Sequence, residues 1–329
     1  MKLRKQISII VVTVILFAAL NFSVYMLLTR RLSNNFSTAT QAQMIDVRSY
    51  LPHTEGSDIP KIDSSLKLTG QLPVLDGAAA LLPVYAAVID NVYPEGCVKY
   101  DGGSFSDDNY YGENFAADSA MQYKNTVRGY KAIVDGETDI LFCARPSAEQ
   151  MEYAKQQGVE LVYVPIGLEG FVFFVNENNP VDTLSVDQIR RIYSGEYKNW
   201  SKVGGVNRVI NPVTRLKGSG SQTMFEAFMG DVKIGKKSPF AIVGGSIGFS
   251  FRYYMDGIVE NSSVKMLSID GVYPNSENIR NGSYPIVTQF YAIYRADNEN
   301  PNIPTLIEWL LSDEGQSLIE QCGYVKLAG

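Results

Sequence analysis

The sequence predicts an α/β fold behind an N-terminal transmembrane helix, on three observations. From about Leu72 to the C-terminus, short apolar strand-like runs alternate with stretches of helical periodicity. Between Leu32 and about Leu68 the chain is rich in Ser, Asn, Thr, Gln and Asp with little periodic apolar pattern, which reads as a linker. Ahead of it, an uncharged and mostly apolar run covers residues 7–28 between basic flanks, long enough for a helix to span a bilayer. With 329 residues and 45% hydrophobic content, the chain can bury a substantial core and is sized for about two compact units.

The apolar run is longer than the core of a cleaved signal peptide, and only weak cleavage candidates such as Thr40-Gln41-Ala42 follow, so an uncleaved signal anchor is expected. Lys2, Arg4, Lys5 and the amino terminus outweigh Arg30 and Arg31, which puts the N-terminus in the cytoplasm and the body outside, as a single-pass protein of the cell membrane. No cysteine closes the run, so the tether is the helix and not a lipid.

In the body, Leu72-Pro-Val-Leu-Asp-Gly enters a helix over Ala78 to Asn91, whose Leu81, Leu82, Tyr85, Val88 and Ile89 share one face and whose N-cap is Asp76. A helix over Gln122 to Val134 stops at Asp135-Gly136-Glu137 and leads into the strand Asp139 to Ala144. Two buried strands follow, Glu160 to Ile166 and Gly170 to Val175. Ser185-Val-Asp-Gln188 is a capping box for a short helix ending near Gly195. A strand over Asn207 to Thr214 precedes the loop Lys217 to Gln222 and a helix through Phe225 and Phe228 to Gly230. Strands over Ile247 to Tyr254, Val264 to Ile269 and Pro285 to Tyr294 precede two closing helices, Ile303 to Leu311 and Asp313 to Cys322, the second stopped by Gly323.

The net charge of −6 leaves no electrostatic footprint for nucleic acid. An anion must therefore be held by a few placed donors. The strongest candidate is Arg215-Leu-Lys-Gly-Ser-Gly-Ser-Gln-Thr: a Gly/Ser loop between strand and helix presents free amides at the positive end of a helix dipole, with Ser219, Gly220 and Ser221 as the cradle. Arg215 adds a forked, charge-assisted donor. The alternative is a flexible turn in which Ser219 and Gln222 form only a capping box. Asp76-Gly77-Ala78-Ala79-Ala80 is a second strand-to-helix junction, and Ala144-Arg145 ends a strand, with Arg145 either donating to a ligand or pairing with Glu149 or Glu152.

Enzyme signals fail. Gly244-Gly-Ser246-Ile-Gly248 matches a nucleophile elbow, but the only histidine, His53, lies in the linker. No phosphate-binding loop of the ATPase kind occurs, and one histidine with scattered Cys97, Cys143 and Cys322 argues against a metal site or a disulfide framework. Asp101, Asp107 and Asp108 lack calcium-loop spacing. No catalytic residue, metal or cofactor is expected. Cys143 reads as a buried small hydrophobe, while Phe249, Phe251, Tyr253 and Tyr254 suit either a cleft or a core.

In order along the chain, Leu75-Asp76-Gly77, Val134-Asp-Gly-Glu-Thr-Asp139, Ile192-Tyr-Ser-Gly-Glu-Tyr-Lys-Asn-Trp200, Arg215 with Gly218-Ser-Gly-Ser221, Ile247-Gly-Phe-Ser-Phe251 and Trp309-Leu-Leu-Ser-Asp-Glu-Gly-Gln316 with Gly323-Tyr324 resemble the phosphate-binding proteins of ABC transporters. The resemblance runs from about Leu72 to Leu327. It implies a two-lobed type II periplasmic-binding-protein fold, with a ligand held between the lobes on helix N-termini and handed to an ABC permease. The implied layout is a cytoplasmic tip and anchor over 1–31, a linker over 32–68, a first lobe over 69–168, a second over 169–288 and a return to the first over 289–329. The implied ligand is phosphate or a similar oxyanion, met by Ala78, Ala79, Ala144, Arg145, Arg215, Ser219, Gly220 and Ser221, with Asp76 or Asp139 accepting its proton. The chain departs from the family by placing Ala78-Ala79-Ala80 and Cys143-Ala144 where hydroxyl or acidic side chains are common. Each lost bond to a charged ligand costs about 1.5–3 kcal/mol. A membrane-anchored sensor or interaction domain with the same fold that has lost or changed its ligand is the alternative function.

Overall fold

The computed structural model describes residues 11–25, 45–105, 111–235, 245–259 and 263–327. Strand β5 (Leu161–Asn176) is the element that both halves of the body share. Its first part, Leu161 to Gly170, pairs antiparallel with β11 (Val287–Arg295). Its second part, Phe171 to Val175, pairs antiparallel with β8 (Gly245–Phe251). β11 continues to β4 (Ile140–Ala144), which runs parallel to β1 (Leu75–Gly77), while β8 runs parallel to β7 (Ile210–Pro212). With β9 (Val264–Met266) on the end of β5, these form a 7-stranded sheet in the order β1-β4-β11-β5-β8-β7. The strands expected at Glu160 to Ile166 and Gly170 to Val175 are thus one strand. The glycine-containing junction between them stays extended because β11 pairs along it and Leu168 bridges Val325; pairing partners override a local breaker.

In the first lobe, α2 (Leu82–Val92) is buried at every position but Asp90. A helix apolar all round must be covered all round, and part of the cover comes from the segment expected as a linker. Ile45, Val47, Ile59 and Leu68 join the main core. Asn91 accepts from the Ile62 amide at 2.7 Å and donates to the Pro60 carbonyl at 2.9 Å, and Lys61 lies 3.5 Å from Asp90. From residue 45 onward the polar stretch is therefore packed structure; residues 32–44 lie outside the described residues. Asp76 is not an N-cap: it lies inside β1, and a 3-10 turn over Ala79–Leu81 precedes α2 with no side-chain cap. α3 (Asn125–Asp135) begins later than expected and ends on left-handed Gly136. α4 (Ala148–Gln156), which periodicity did not reveal, is opened by a reciprocal capping box between Ser147 and Gln150.

The second lobe follows the expected plan. α5 (Val186–Ser194) carries the Ser185–Gln188 capping box and stops at Gly195. α6 (Gly220–Met229) packs Phe225 flat on Phe249, centroids 4.3 Å apart, within a cluster holding Phe171, Phe173 and Tyr193. The closing helices α8 (Asn302–Leu311) and α9 (Asp313–Gln321) return to the first lobe, α9 against α2, and Gly323 takes the left-handed position past α9. Cys143 and Cys322 are buried.

Residues 11–25 form a helix, α1, with exposed side chains. Among the described residues no helix is long and apolar enough to cross a membrane. The remainder of the expected anchor over 7–28 lies outside the described residues, as do Asp107, Asp108 and Gly244.

Candidate functional site

The two lobes meet over a cleft of about 1020 Å³. One wall is the Ala78–Leu81 turn, the start of α3 at Lys124–Arg128, and Ala144; the other is Val213–Lys217, Ser219–Ser221, Ser250, Phe251 and Tyr254. The shared strands add Glu169 and Thr288–Phe290, and the C-terminal segment adds Tyr324. Along one rim the lobes already touch. Lys217 pairs with Glu149 at the start of α4, and Gln150 Nε2 donates to the Gly218 carbonyl at 3.4 Å. A Cβ on Gly220 would lie 3.7 Å from Thr126 Oγ1 and 3.8 Å from the Ala144 Cβ.

The loop before α6 is built by local bonds that leave its donors available. Gly218 sits at φ +79°, a conformation suited to glycine. Ser219 is the N-cap, its Oγ accepting from the Gln222 amide at 3.3 Å. The capping box is only half formed: Gln222 turns its side chain away, accepting from the Arg215 amide at 2.9 Å and donating to Glu226 at 2.9 Å. That bond ties Arg215 to the helix. The amides of Gly220 and Ser221, in the first turn of α6, have no carbonyl of their own helix to bond and point the positive end of its dipole at the cleft.

Arg215 Nη1 donates weakly to Ser250 Oγ at 3.4 Å, and the guanidinium lies over the Tyr254 ring, 5.9 Å from its centroid. Burial pulls its pKa down, because desolvation penalises the charged form. Among the described residues no carboxylate forms an ion pair with it. A partly buried cation thus stands at an amide-lined helix N-terminus, with no carboxylate paired to it among the described residues.

Of the expected residues, Ala78, Ala79, Ala144, Arg215, Ser219, Gly220 and Ser221 line this one cleft. Arg145 does not: it is exposed and outside the lining, and Glu149 is taken by Lys217 instead. Asp76 is fully buried and also outside the lining. Its Oδ1 accepts from the Gly77 and Lys124 amides at 2.7 and 2.9 Å, Oδ2 has no hydrogen-bond partner among the described residues, and burial pushes the carboxyl up to about 6. Asp139 is occupied structurally, accepting from the Val74 amide and Asn298 at 2.8 and 2.7 Å.

The carboxyl that does line the cleft is Glu169, 3% exposed, which sequence reasoning missed. Arg252 Nε lies 3.3 Å from it and the Gly170 amide donates to it at 2.8 Å, yet burial still pushes it up to about 7. An acidic residue flanked by apolar strand, as in Gly167-Leu-Glu-Gly170-Phe, was the available signal. The start of α3 was missed as well. Asn125 holds a positive φ of 60° there and accepts from the Thr126 amide at 2.7 Å, bringing a third helix N-terminus to the cleft. Phe249, Phe251 and Tyr254 all belong to the core, and Phe251 and Tyr254 also line the cleft, so the aromatic run serves both purposes. Ser246 accepts from Asn211 at 2.9 Å, and His53 lies against Asp90, so the two share no partner.

Residues 107–314 match the family model of a PBP superfamily domain. The chain belongs to that family. Among curated relatives, Protein SphX of Synechococcus elongatus is 25% identical over 301 residues, covering 79% of this chain and 88% of SphX. The phosphate-binding protein PstS of Bacillus subtilis is 26% identical over 229 residues, 65% of this chain and 72% of that protein. A phosphate-bound crystal structure from Clostridium perfringens superposes with a TM-score of 0.57 at 24% identity, covering 78% of this chain and 99% of that one. The two-lobed fold expected from the sequence is thereby established.

Proposed function

We propose that this PBP-superfamily chain is a solute-binding protein that captures phosphate or a related oxyanion between its lobes and presents it to the permease of an ABC importer. The observation that carries the reading is Arg215: a partly buried guanidinium without a carboxylate partner among the described residues, beside the first-turn amides of α6, in the cleft between lobes. The ligand sits against Ser219, Gly220 and Ser221 with Arg215 as its charged donor, and Ala78, Ala79 and Ala144 contribute shape rather than hydroxyls. Relatives called phosphate-binding proteins support the ligand class. The binding step needs no chemistry, so no catalytic residue is assigned.

In this reading the first lobe spans 69–168, joined by the packed segment from residue 45; the second spans 169–288, and 289–329 return to the first. The apolar run over 7–28 anchors the protein, with the cleft outside the cell; release into the soluble fraction without detergent would count against the anchor. The function is tested by calorimetric titration of the full chain with phosphate, sulfate, molybdate and arsenate, beside Arg215→Ala. Binding of one anion that disappears in the variant supports capture; folded protein silent to all four removes it.

A further inference from the structure

We propose that Arg252 is the positioning residue of the hinge: its forked guanidinium pins the crossover strand and the end of β8 to the C-terminal segment, at the angle where both walls of the cleft meet the ligand. This rests on the reading of the cleft as the place of anion capture.

Three segments that join the lobes converge on this side chain. β5 changes partner from β11 to β8 between Gly170 and Phe171, one residue beyond Glu169. Arg252 directly follows β8. The C-terminal segment runs beside β5, where the Leu168 amide donates to the Val325 carbonyl at 2.7 Å and the Val325 amide to the Leu168 carbonyl at 3.2 Å. Arg252 touches all three: Nε lies 3.3 Å from a Glu169 oxygen, and Nη2 donates to the Gly323 carbonyl. Gly323, at φ +88°, permits the approach, because a Cβ there would collide with the Tyr253 ring. The side chains of Arg252 and Glu169 are only 9% and 4% exposed. A buried ion pair adds little net stability; what the fork supplies is a fixed relation between segments.

That relation reaches the ligand cradle. Glu169 lines the cleft. On either side of Arg252 in the chain, Ser250 accepts from Arg215 and Tyr254 lies beneath the Arg215 guanidinium. At the angle so fixed, Gln150 reaches the Gly218 carbonyl across the rim. Without the hold on Gly323, the second lobe swings about β5, the rim opens and the ligand escapes.

The test compares the natural full chain with Arg252→Lys and with the double variant Glu169→Gln/Arg252→Gln, using inorganic phosphate in stopped-flow binding and calorimetry, and small-angle scattering without phosphate. Lysine keeps the charge beside Glu169 but has no fork to reach Gly323 as well. The double variant leaves neither charge buried and unpaired. Affinity should fall about tenfold, as when the binding-competent angle drops to a tenth of its population. The loss should lie in the dissociation rate, and the radius of gyration should rise. A merely structural role shifts the urea midpoint and nothing else: an unchanged Kd and radius in whichever variant folds overturns the proposal. If the natural protein binds no phosphate, the capture reading fails on its own account, and the radius still decides the pin, a larger one supporting it and an unchanged one overturning it.

Discussion

Replacing Arg215 by methionine separates a ligand-binding guanidinium from a structural one. Methionine keeps an unbranched apolar stem against Tyr254 but removes the charge and its donors. A forked pair to an oxyanion comprises two charge-assisted bonds of about 1.5–3 kcal/mol each, so the variant should lose about 3–6 kcal/mol of binding, or two to four orders of magnitude in Kd. The unliganded protein should respond differently. The guanidinium makes a 3.4 Å bond to Ser250, interacts with Tyr254, has no ion pair among the described residues, and carries a pKa lowered by burial. Its removal should therefore change unfolding free energy by less than about 1 kcal/mol. Calorimetry and urea unfolding of the same preparations read the two quantities. A Kd within about threefold of the natural protein's would refute the ligand role. Unliganded stability falling by several kcal/mol would show that Arg215 is chiefly a structural residue of the second lobe.

Ser219→Ala removes the N-cap of α6 and should cost about 0.5–2 kcal/mol in urea unfolding, with weaker anion affinity as well. Gly77→Ala should destabilise by about 1–3 kcal/mol, because its Cβ would lie 2.6 Å from the Tyr85 ring and 2.8 Å from the Phe142 carbonyl; an unchanged melting temperature would count against that packing. Lys217→Ala should leave folding intact and weaken ligand binding only modestly, the difference shrinking as salt is added, since Lys217 and Glu149 are both exposed where they bridge the rim. Asp76 and Glu169 are raised by burial to about 6 and about 7 from 3.8 and 4.5. Between its unfolded and folded values each binds more protons in the folded state, so the stability it confers is full below the unfolded value and declines as pH rises through the folded one. The urea midpoint should thus be lower at pH 8 than at pH 5.5, and Asp76→Asn should flatten the lower part of that slope. A midpoint that climbs over this range would contradict the desolvation of these groups.

Much of the second lobe was legible locally. Ser185 with Gln188, the Gly195 stop and the Gly-Ser-Gly-Ser entry to α6 each declare a helix end through bonds made within a few residues. Glu169 and Thr126 were not legible in the same way: they reach the cleft because β5 crosses between lobes and α3 starts at Asn125, placements set by distant chain. Arg145 differs in the opposite sense. Its position after β4 suited a ligand donor, but the turn into α4 leaves it facing solvent.

By itself the sequence determined the alternating α/β order, most helix ends and the Arg215 loop, since periodicity, caps and glycine conformations are short-range properties of the chain. Only the tertiary structure decided that two predicted strands are one, that residues 45–68 cover α2, and that Glu169 rather than Asp139 meets the cleft. Each of those depends on which surfaces come together. Burial and strand pairing act between segments far apart in the chain, and no local pattern specifies the partner.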